Sequence, residues 1–324
     1  MKLDSIGNVK LYLINGGIIH EKDESLIEEL GGGVSCNVWK VTVGENSWVL
    51  KQALDKLKVE ANWYSDIERI HREHEVMEAL EELLPRGSIP KVVYKDYVNH
   101  VYMMTAADGF TQTWKDVLMN EDFNTSFAKK AGTLLSVIHE GSNRMSIADK
   151  TKFLDQRYFK QLRIDAFHLT VIKKYPQLTL PVRKLINEVT TQQVCLVHGD
   201  FSPKNILTDE DGNLTLIDFE VAHWGNPVFD LAYCLGHLML KGWYLERKEK
   251  ILQLIETFLL SYNRVIDNLI PHLGLMLLAR TDGKSPVNYI KNENTKDTIR
   301  KIAANWIQGR VENENVFQNI KAAL

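Results

Sequence analysis

Residues 196–220, LVHGDFSPKNILTDEDGNLTLIDFE, decide how the rest of the chain is interpreted. Asp200 ends a His-Gly-Asp triplet, Asn205 comes five residues later, and Asp218 lies thirteen residues beyond Asn205. A surface loop would also collect Asp and Asn, because these residues favour turns. However, the apolar runs NILTD and LTLIDF flank residues 211–213 and predict a β-hairpin. The segment therefore places two carboxylates and an amide on and beside one hairpin.

Composition limits the class of protein. The chain has 324 residues, 44% of them apolar and 25% charged, which is typical of a globular protein large enough for two lobes. A net charge of −3 argues against a nucleic-acid-binding surface. No apolar run approaches the roughly 20 residues that span a bilayer, and the N-terminus lacks a signal-peptide cleavage site. The three cysteines are far apart, which fits a reducing compartment. We therefore expect a cytoplasmic protein, monomeric or homodimeric, with neither nucleic-acid nor membrane partners.

The first hundred residues predict a small sheet with one helix. Residues 29–54 contain three strand-like runs separated by a glycine turn and by a turn at residues 44–46. Residues 64–84 carry apolar side chains at helical spacing on a charge-rich background, which predicts an amphipathic helix. KVVYKDY and HVYMMTA follow as two further strands. Three strands, a helix and two strands together predict an antiparallel sheet.

The pattern becomes helical after residue 106. The segments FAKKAGTLLSVIHE, VRKLINEVTT, FDLAYCLGHLML, KEKILQLIETFLLSYNRVI and IRKIAANWIQ all have helical periodicity. The hairpin at residues 205–219 is the only strand-like feature of this half. We therefore predict an α+β fold with two lobes, residues 1–106 and residues 107–324, the second mainly helical.

A glycine-rich turn and a lysine lie on neighbouring predicted strands of the first lobe. Gly31, Gly32 and Gly33, followed by Ser35, would let backbone amides approach phosphate oxygens. By themselves the glycines could be an ordinary hairpin turn, and Lys51 an edge-strand lysine in solvent. An acid on the following helix would hold Lys51, but spacing leaves Glu68, Glu73, Glu75 and Glu78 open.

The hairpin supplies the remaining groups that phosphoryl transfer needs. The oxygens of Asn205 and Asp218 are ligands that Mg²⁺ prefers, completed by nucleotide phosphates and water. Asp200 is then available to orient a hydroxyl and accept its proton. His198 is interpreted as an internal residue that fixes the loop rather than as a general base. These groups follow one another in the order used by protein kinases, which predicts an ATP-dependent kinase.

The motif HGDFSPKN…LIDFE resembles the aminoglycoside phosphotransferase and choline kinase-like family, whose members have the protein-kinase fold. Two further segments are similar to methylthioribose kinases: KQALDKLKVEANWYSDIERIHRE, and IDFEVAHWGNPVFDLA with its Asp-x-Glu motif. Together the likeness covers most of residues 30–235. The chain keeps Asn205 like the aminoglycoside enzymes and Glu220 like the methylthioribose enzymes.

The resemblance implies roles for particular residues. It selects Glu73 as the partner of Lys51, because Glu73 completes an Arg-x-x-x-Glu pattern that begins at Arg69. It implies adenine contacts at the backbone of Thr105 to Ala107, and it makes Asp230 a buried brace. The implied sets are, for the nucleotide, Gly32, Gly33, Ser35, Lys51, Glu73, Thr105 and Ala107; for Mg²⁺, Asn205, Asp218 and Glu220; for catalysis, Asp200. For Glu220 a salt bridge at the loop is the alternative. If the strand continues past Asp218, the two carboxylates face the same way.

The acceptor is predicted to be a small molecule with a hydroxyl group. From Leu238 onward, thirteen Lys and Arg face nine Asp and Glu, a balance that favours a neutral sugar or an anionic polyol over a polycation. Arg280 and Lys284 are the predicted acceptor residues, by a likeness in position to arginines of methylthioribose kinases. The alternative for Arg280 is a helix cap. The alternative functions are an aminoglycoside kinase and an inactive pseudokinase.

Overall fold

The predicted antiparallel sheet forms the first part of the molecule. The computed structural model describes residues 1–31, 33–59, 62–107, 112–311 and 315–324. The strands are β1 (Ser25–Glu29), β2 (Cys36–Val43), β3 (Asn46–Ala53), β4 (Val92–Asp96) and β5 (Val101–Thr105), in the order β1-β2-β3-β5-β4. Val43 pairs with Asn46 across a two-residue turn in which Gly44 has a φ of +58°. Glycine adopts this left-handed conformation without a steric cost, and the predicted hairpin is confirmed.

A helix packs on each face of this sheet. They are α1 (Ile6–Asn15) and α2 (Arg69–Leu80). Along β5, Val101 and Met103 belong to the apolar cluster that contains α1, whereas Tyr102 and Met104 belong to the cluster that contains α2. Successive residues of a strand point to opposite faces, so the two helices cover opposite sides of the sheet.

The sequence analysis did not predict α1. Its buried residues Val9, Tyr12 and Leu13 do have helical spacing, and Ser5 caps the helix by accepting a hydrogen bond from the Asn8 amide. The helix has only 10 residues, and a helix of this length is marginal in isolation. Its stability comes from the sheet that it covers, which the local pattern does not reveal.

The second part of the molecule is mainly helical. Its elements are β6 (Gln112–Thr113), α3 (Trp114–Met119), α4 (Thr125–Gly141), α5 (Ile147–Phe153), α6 (Arg157–Phe159), a π-helical segment (Lys160–His168), α7 (Leu169–Lys174), α8 (Thr179–Thr191), β7 (Cys195–Val197), β8 (Ile206–Thr208), β9 (Leu214–Leu216), β10 (His223–Gly225), α9 (Val228–Leu245), α10 (Lys248–Tyr262), α11 (Leu269–Asp282), α12 (Glu293–Ile307) and α13 (Val316–Ala323). Within the described ranges, no helix combines the length and apolar character needed to cross a membrane. The predicted α+β class is confirmed, and the lobe boundary after residue 106 stays a prediction.

The helical part also contains two small antiparallel sheets of short strands. β8 and β9 form the predicted hairpin, and β6 pairs with β8 as a third strand. β7 pairs antiparallel with β10. The condition under which Asp218 and Glu220 would face the same way, a strand that continues past Asp218, is not met, because β9 ends at Leu216 and Asp218 has a φ of +74°. The strand ends before Asp218, and the left-handed backbone at Asp218 turns the chain before Glu220.

Candidate active site

The loop between β7 and β8 carries Asp200 on a buried scaffold. The backbone amides of His198 and Gly199 donate to the two carboxylate oxygens of Asp230, at 2.7 and 2.8 Å. Gly199 has a φ of +77°, and a β-carbon at this position would lie 2.9 Å from the carbonyl oxygen of Val221. Only glycine fits both conditions without strain. Asp230, which is fully buried, therefore braces the loop as the sequence resemblance implies.

His198 belongs to the same scaffold. Its Nδ1 accepts a hydrogen bond from the Asp200 amide at 3.1 Å, and its Nε2 lies 3.1 Å from the carbonyl oxygen of Ile217. Burial lowers the pKa of this imidazole. The residue is fully buried, so the interpretation of His198 as an internal residue is confirmed.

Both carboxylate oxygens of Asp200 have partners. Asn205 donates from Nδ2 to Oδ2 at 2.6 Å, and Arg163 lies with Nη2 at 2.8 Å from Oδ1. Arg163 also donates from Nε to the carbonyl oxygen of Gly199, so it holds the loop as well as the side chain. The sequence analysis missed Arg163. It lies in the π-helical segment, and neither a motif nor a helical period marks it.

Lys51, Glu73 and Asp218 form a buried charge cluster. Nζ of Lys51 lies 2.7 and 2.9 Å from the two oxygens of Glu73 and 3.1 Å from Oδ1 of Asp218. Burial is the largest single influence and opposes the charge of Lys51, but Glu73, Tyr102 and Asp218 together outweigh it and raise the pKa of Lys51 well above its usual value. Burial also opposes ionisation of Asp218, yet Lys51 and Lys204 hold its pKa well below the usual range. Of the four helix acids that spacing left open, Glu73 is the one that contacts Lys51.

Glu220 forms an ion pair with Arg69. Oε2 of Glu220 accepts a hydrogen bond from Nε of Arg69 at 2.9 Å, and both side chains are buried. Arg69 also donates to the carbonyl oxygens of Ser35, Leu54, Ser65 and Asp66. The guanidinium thus joins the glycine-rich turn, the end of β3 and the start of α2 to the loop after β9. The salt bridge that the sequence left as an alternative is present.

The other predicted nucleotide contacts fall in two places. Gly33 and Ser35 line the cavity that also contains Lys51 and Asp200, whereas Gly32 lies outside the described residues. Thr105 ends β5, and its amide N–H donates to the carbonyl oxygen of Lys91. Ala107 lies two residues further along the chain. Neither Thr105 nor Ala107 lines this cavity, and their adenine contact stays a prediction.

Most of the residues predicted to form the active site line one cavity, between the sheet and the helical part. It is lined by residues from the sheet, the loop between β7 and β8, and helices α9 and α11, including Lys51, Asp200, Asp218, Glu220, Tyr233, His237 and Arg280. Glu73 and Asn205 lie behind this lining, in contact with Lys51 and Asp200. Lys284 is placed at the rim, where Nζ donates to the carbonyl oxygen of Asn62 and lies 5.0 Å from the ring centre of Trp63.

Arg280 reaches the cavity from the last turn of α11. Its Nη1 donates to the carbonyl oxygen of Ser285, in the loop that follows the helix. Its guanidinium carbon lies 5.6 Å from the ring centre of Phe167. Nε is buried and has no hydrogen-bond partner. Arg280 therefore contacts the loop after the helix, as the cap alternative expects, and also lines the cavity.

The donor set suits a Mg²⁺ ion that shares its shell with phosphates. Among the described residues no group of three or more His, Cys, Asp or Glu side chains could hold a metal alone. Asn205 uses its amide nitrogen on Asp200, which leaves the amide oxygen as its metal donor. Asp218 and Asn205 would supply two hard oxygens, and Mg²⁺ commonly takes its other ligands from nucleotide phosphates and water.

Comparison with known proteins agrees with this arrangement. The model of the phosphotransferase enzyme family matches residues 26–259. The 4-hydroxytryptamine kinase of Psilocybe cyanescens is 24% identical over 295 residues, which cover 82% of this chain and 76% of that kinase. The methylthioribose kinase of Bacillus cereus is 23% identical over 263 residues, 74% of this chain and 66% of the relative.

Solved structures give the same fold. A spectinomycin phosphotransferase, solved with ADP and spectinomycin, superposes with a TM-score of 0.56 at 14% identity and covers 100% of both chains. An aminoglycoside phosphotransferase solved with GDP and kanamycin gives a TM-score of 0.55 at 17% identity, over 97% of this chain and 98% of the other. At these identities the likeness establishes the fold alone. Because the family model spans most of the chain and its catalytic loop, this protein belongs to the phosphotransferase enzyme family and is a small-molecule kinase.

Proposed function

We propose that the protein transfers the γ-phosphate of ATP to a hydroxyl of a small metabolite, a sugar or polyol. One observation carries the proposal: Asp200 lines a single cavity together with Lys51 and Asp218, which contact each other, and with Arg280 of α11. The first pair suits nucleotide phosphates, and Arg280 suits the acceptor. The carboxylate therefore lies where a donor and an acceptor would meet.

Asp200 is the proposed catalytic residue. The acceptor hydroxyl oxygen forms a bond to the γ-phosphorus, the bond from that phosphorus to the bridging oxygen of ADP breaks, and the hydroxyl proton passes to the Asp200 carboxylate. Asn205 and Arg163 hold the carboxylate at 2.6 and 2.8 Å. They fix its orientation toward the cavity before the substrate arrives.

The residues proposed to bind the nucleotide are assigned by the charge and the donor atoms that they present to its phosphates. Lys51, kept cationic by Glu73, would bind the phosphates, and the backbone at Gly33 and Ser35 would cover them. Asp218 and Asn205 would hold Mg²⁺, which supplies charge neutralisation of the phosphates when it is bound. Glu220, engaged by Arg69 at 2.9 Å, is assigned to bracing the loop. Thr105 and Ala107 would contact the adenine through their backbone.

Two kinds of relative support a small acceptor. The matched proteins of Psilocybe cyanescens and Bacillus cereus are named kinases of 4-hydroxytryptamine and methylthioribose. Arg280 and Lys284 are proposed to face such an acceptor at the far end of the cavity and at its rim. The fork of an arginine can bind vicinal hydroxyls, a carboxylate or a phosphate.

The test is ADP release from ATP and Mg²⁺ with a panel of sugars, polyols, hydroxylated amines and aminoglycosides. Asp200→Asn should lower kcat by about 10²–10⁴, the usual contribution of a positioned acid–base group, and leave ADP affinity unchanged. Asp211→Asn is the matched control, because Asp211 is exposed at the tip of the hairpin. Turnover of Asp200→Asn at the wild-type rate would refute the assignment.

A further inference from the structure

The acceptor end of the cavity is rich in cations. Arg163, Lys204 and Arg280 line it together with His237. Arg163 is neutralised by Asp200 at 2.8 Å. Within the described part of the chain, no carboxylate lies within ion-pair distance of Arg280 or of Lys204. This end of the site therefore carries positive charge that the protein does not compensate.

Two buried nitrogen atoms at this end have no hydrogen-bond partner. They are Nε of Arg280 and Nε2 of His237, on the facing helices α11 and α9. Buried polar atoms in folded proteins are almost always paired, and both residues line the cavity. A ligand oxygen placed between the two helices would satisfy them.

The surroundings of His237 point to the sign of that ligand. Burial lowers the pKa of His237 well below its usual value, and the charges of Arg280, Lys241, Lys204 and Arg163 act in the same direction. Lys241 lies one turn further along α9, where burial lowers its pKa to about 7, and its Nζ donates to the carbonyl oxygen of His237 at 3.4 Å; the cations that act here at full charge are therefore Arg280, Lys204 and Arg163. The potential at this end therefore favours an anion and disfavours a cation.

We propose that the acceptor carries an oxyanion, a carboxylate or a phosphate ester, beside the hydroxyl that is phosphorylated, and that Arg280 binds it with help from His237. The inference rests on the proposed function, because it assigns the other end of the cavity to the nucleotide. A polycationic acceptor would meet the cations Arg280 and Lys204. The carboxylates that line the cavity, Asp200, Asp218 and Glu220, are each already paired with a cation of the protein. The acceptor is thus a hydroxy acid or a phosphorylated polyol.

The experiment measures thermal unfolding of the protein in the presence of ADP and Mg²⁺, which occupy the nucleotide end of the cavity. D-glycerate and glycerol 3-phosphate are the anionic probes. Glycerol and kanamycin are the neutral and cationic counterparts, with sodium chloride at matched ionic strength. Either anion should raise the Tm of the wild type by about 2 °C or more at saturating concentration, whereas glycerol and kanamycin should not. The two anions distinguish a carboxylate from a phosphate ester.

Arginine variants locate the site. Arg280→Gln should remove the rise given by the anions but keep the rise given by ADP, which also shows that the variant folds. Arg183→Gln, at an exposed position of α8, should keep both. Absence of a rise with both anions, or a rise that survives in Arg280→Gln, would overturn the inference. If ADP itself fails to raise the Tm of the wild type, the proposed function fails instead.

Discussion

At the scale of single residues, a substitution in the Arg69–Glu220 ion pair distinguishes a structural role of Glu220 from a role as a metal ligand. Glu220→Gln leaves the buried guanidinium of Arg69 without its counter-charge. Removing one partner of a buried ion pair typically costs about 3–5 kcal/mol. We therefore expect a large loss in the free energy of unfolding, measured in urea, and an unchanged Mg²⁺ dependence of the residual activity.

An exposed pair in the same chain provides the control. Glu121 accepts a hydrogen bond from Arg247 at 2.8 Å, almost the distance of the buried pair, but both side chains are about half exposed. Glu121→Gln should change stability by about 0–1 kcal/mol. A Glu220→Gln enzyme with normal stability and a raised Mg²⁺ requirement would instead make Glu220 a metal ligand.

Some residues of the candidate site could be predicted from the sequence and others could not. Lys51, Asp200, Asn205 and Asp218 could be found from the sequence, because their residue types and spacing are set by chemistry. Arg163 could not, since its partners include the carbonyl oxygen of Gly199, and backbone acceptors leave no mark in a sequence. The salt bridge of Glu220 could be given only as one of two alternatives, because no glycine marks the left-handed φ of +74° at Asp218.

At the scale of elements, the contact of α4 with α10 depends on one glycine. A β-carbon at Gly132 would lie 2.4 Å from the carbonyl oxygen of Phe258 and 3.1 Å from the Ser261 side chain. Gly132→Ala should therefore lower stability by about 1–3 kcal/mol through overpacking, although alanine is the better helix former by about 1 kcal/mol. Thermal unfolding measures the net effect.

Gly7 provides the opposite case. It lies in α1, and a β-carbon there would meet nothing within 4 Å. Gly7→Ala should raise stability by up to about 1 kcal/mol, which is the propensity term alone. If Gly132→Ala raises the Tm as well, α4 and α10 can move apart at little cost and the packing argument is wrong.

The elements themselves were mostly predictable where they are amphipathic. The strands of the sheet, α2 and the β8–β9 hairpin follow the periodicity of their residues. The strands β6, β7 and β10 were missed, since β6 and β8, and likewise β7 and β10, pair over long distances in the chain, whereas the equally short β8 and β9 pair across a local turn. Such pairings are decided by tertiary contacts rather than by local pattern.

At the scale of the whole molecule, α2 is bonded to the helical part by a second arginine. Arg72 donates to the carbonyl oxygens of Lys152, Asp155 and Ala222, at 2.9–3.0 Å. Together with Arg69, it holds α2 against the loops that follow α5 and β9. Glu73 lies next to Arg72 on this helix, so the same contacts fix the distance from Lys51 to Asp218 and Asp200.

The whole molecule should be sensitive to mild acid because several histidines are buried in neutral form. Burial lowers the pKa of His74 and of His223 to about 4, and that of His168 to about 3. In the unfolded chain their pKa is about 6.5. As the pH falls below about 6.5, the unfolded chain binds protons that the folded chain does not, so stability is lost. It continues to fall until the folded pKa values are approached.

The loss can be measured by urea unfolding at pH 7 and pH 5. Each of the three histidines should contribute roughly 2 kcal/mol to the difference. His168→Leu removes one proton-binding group, so this variant should lose less stability than the wild type over the same interval. His20→Leu, at an exposed position, should keep the full pH dependence. Equal losses in the wild type and in both variants would show that His168 is protonated in the folded protein as readily as in the unfolded chain.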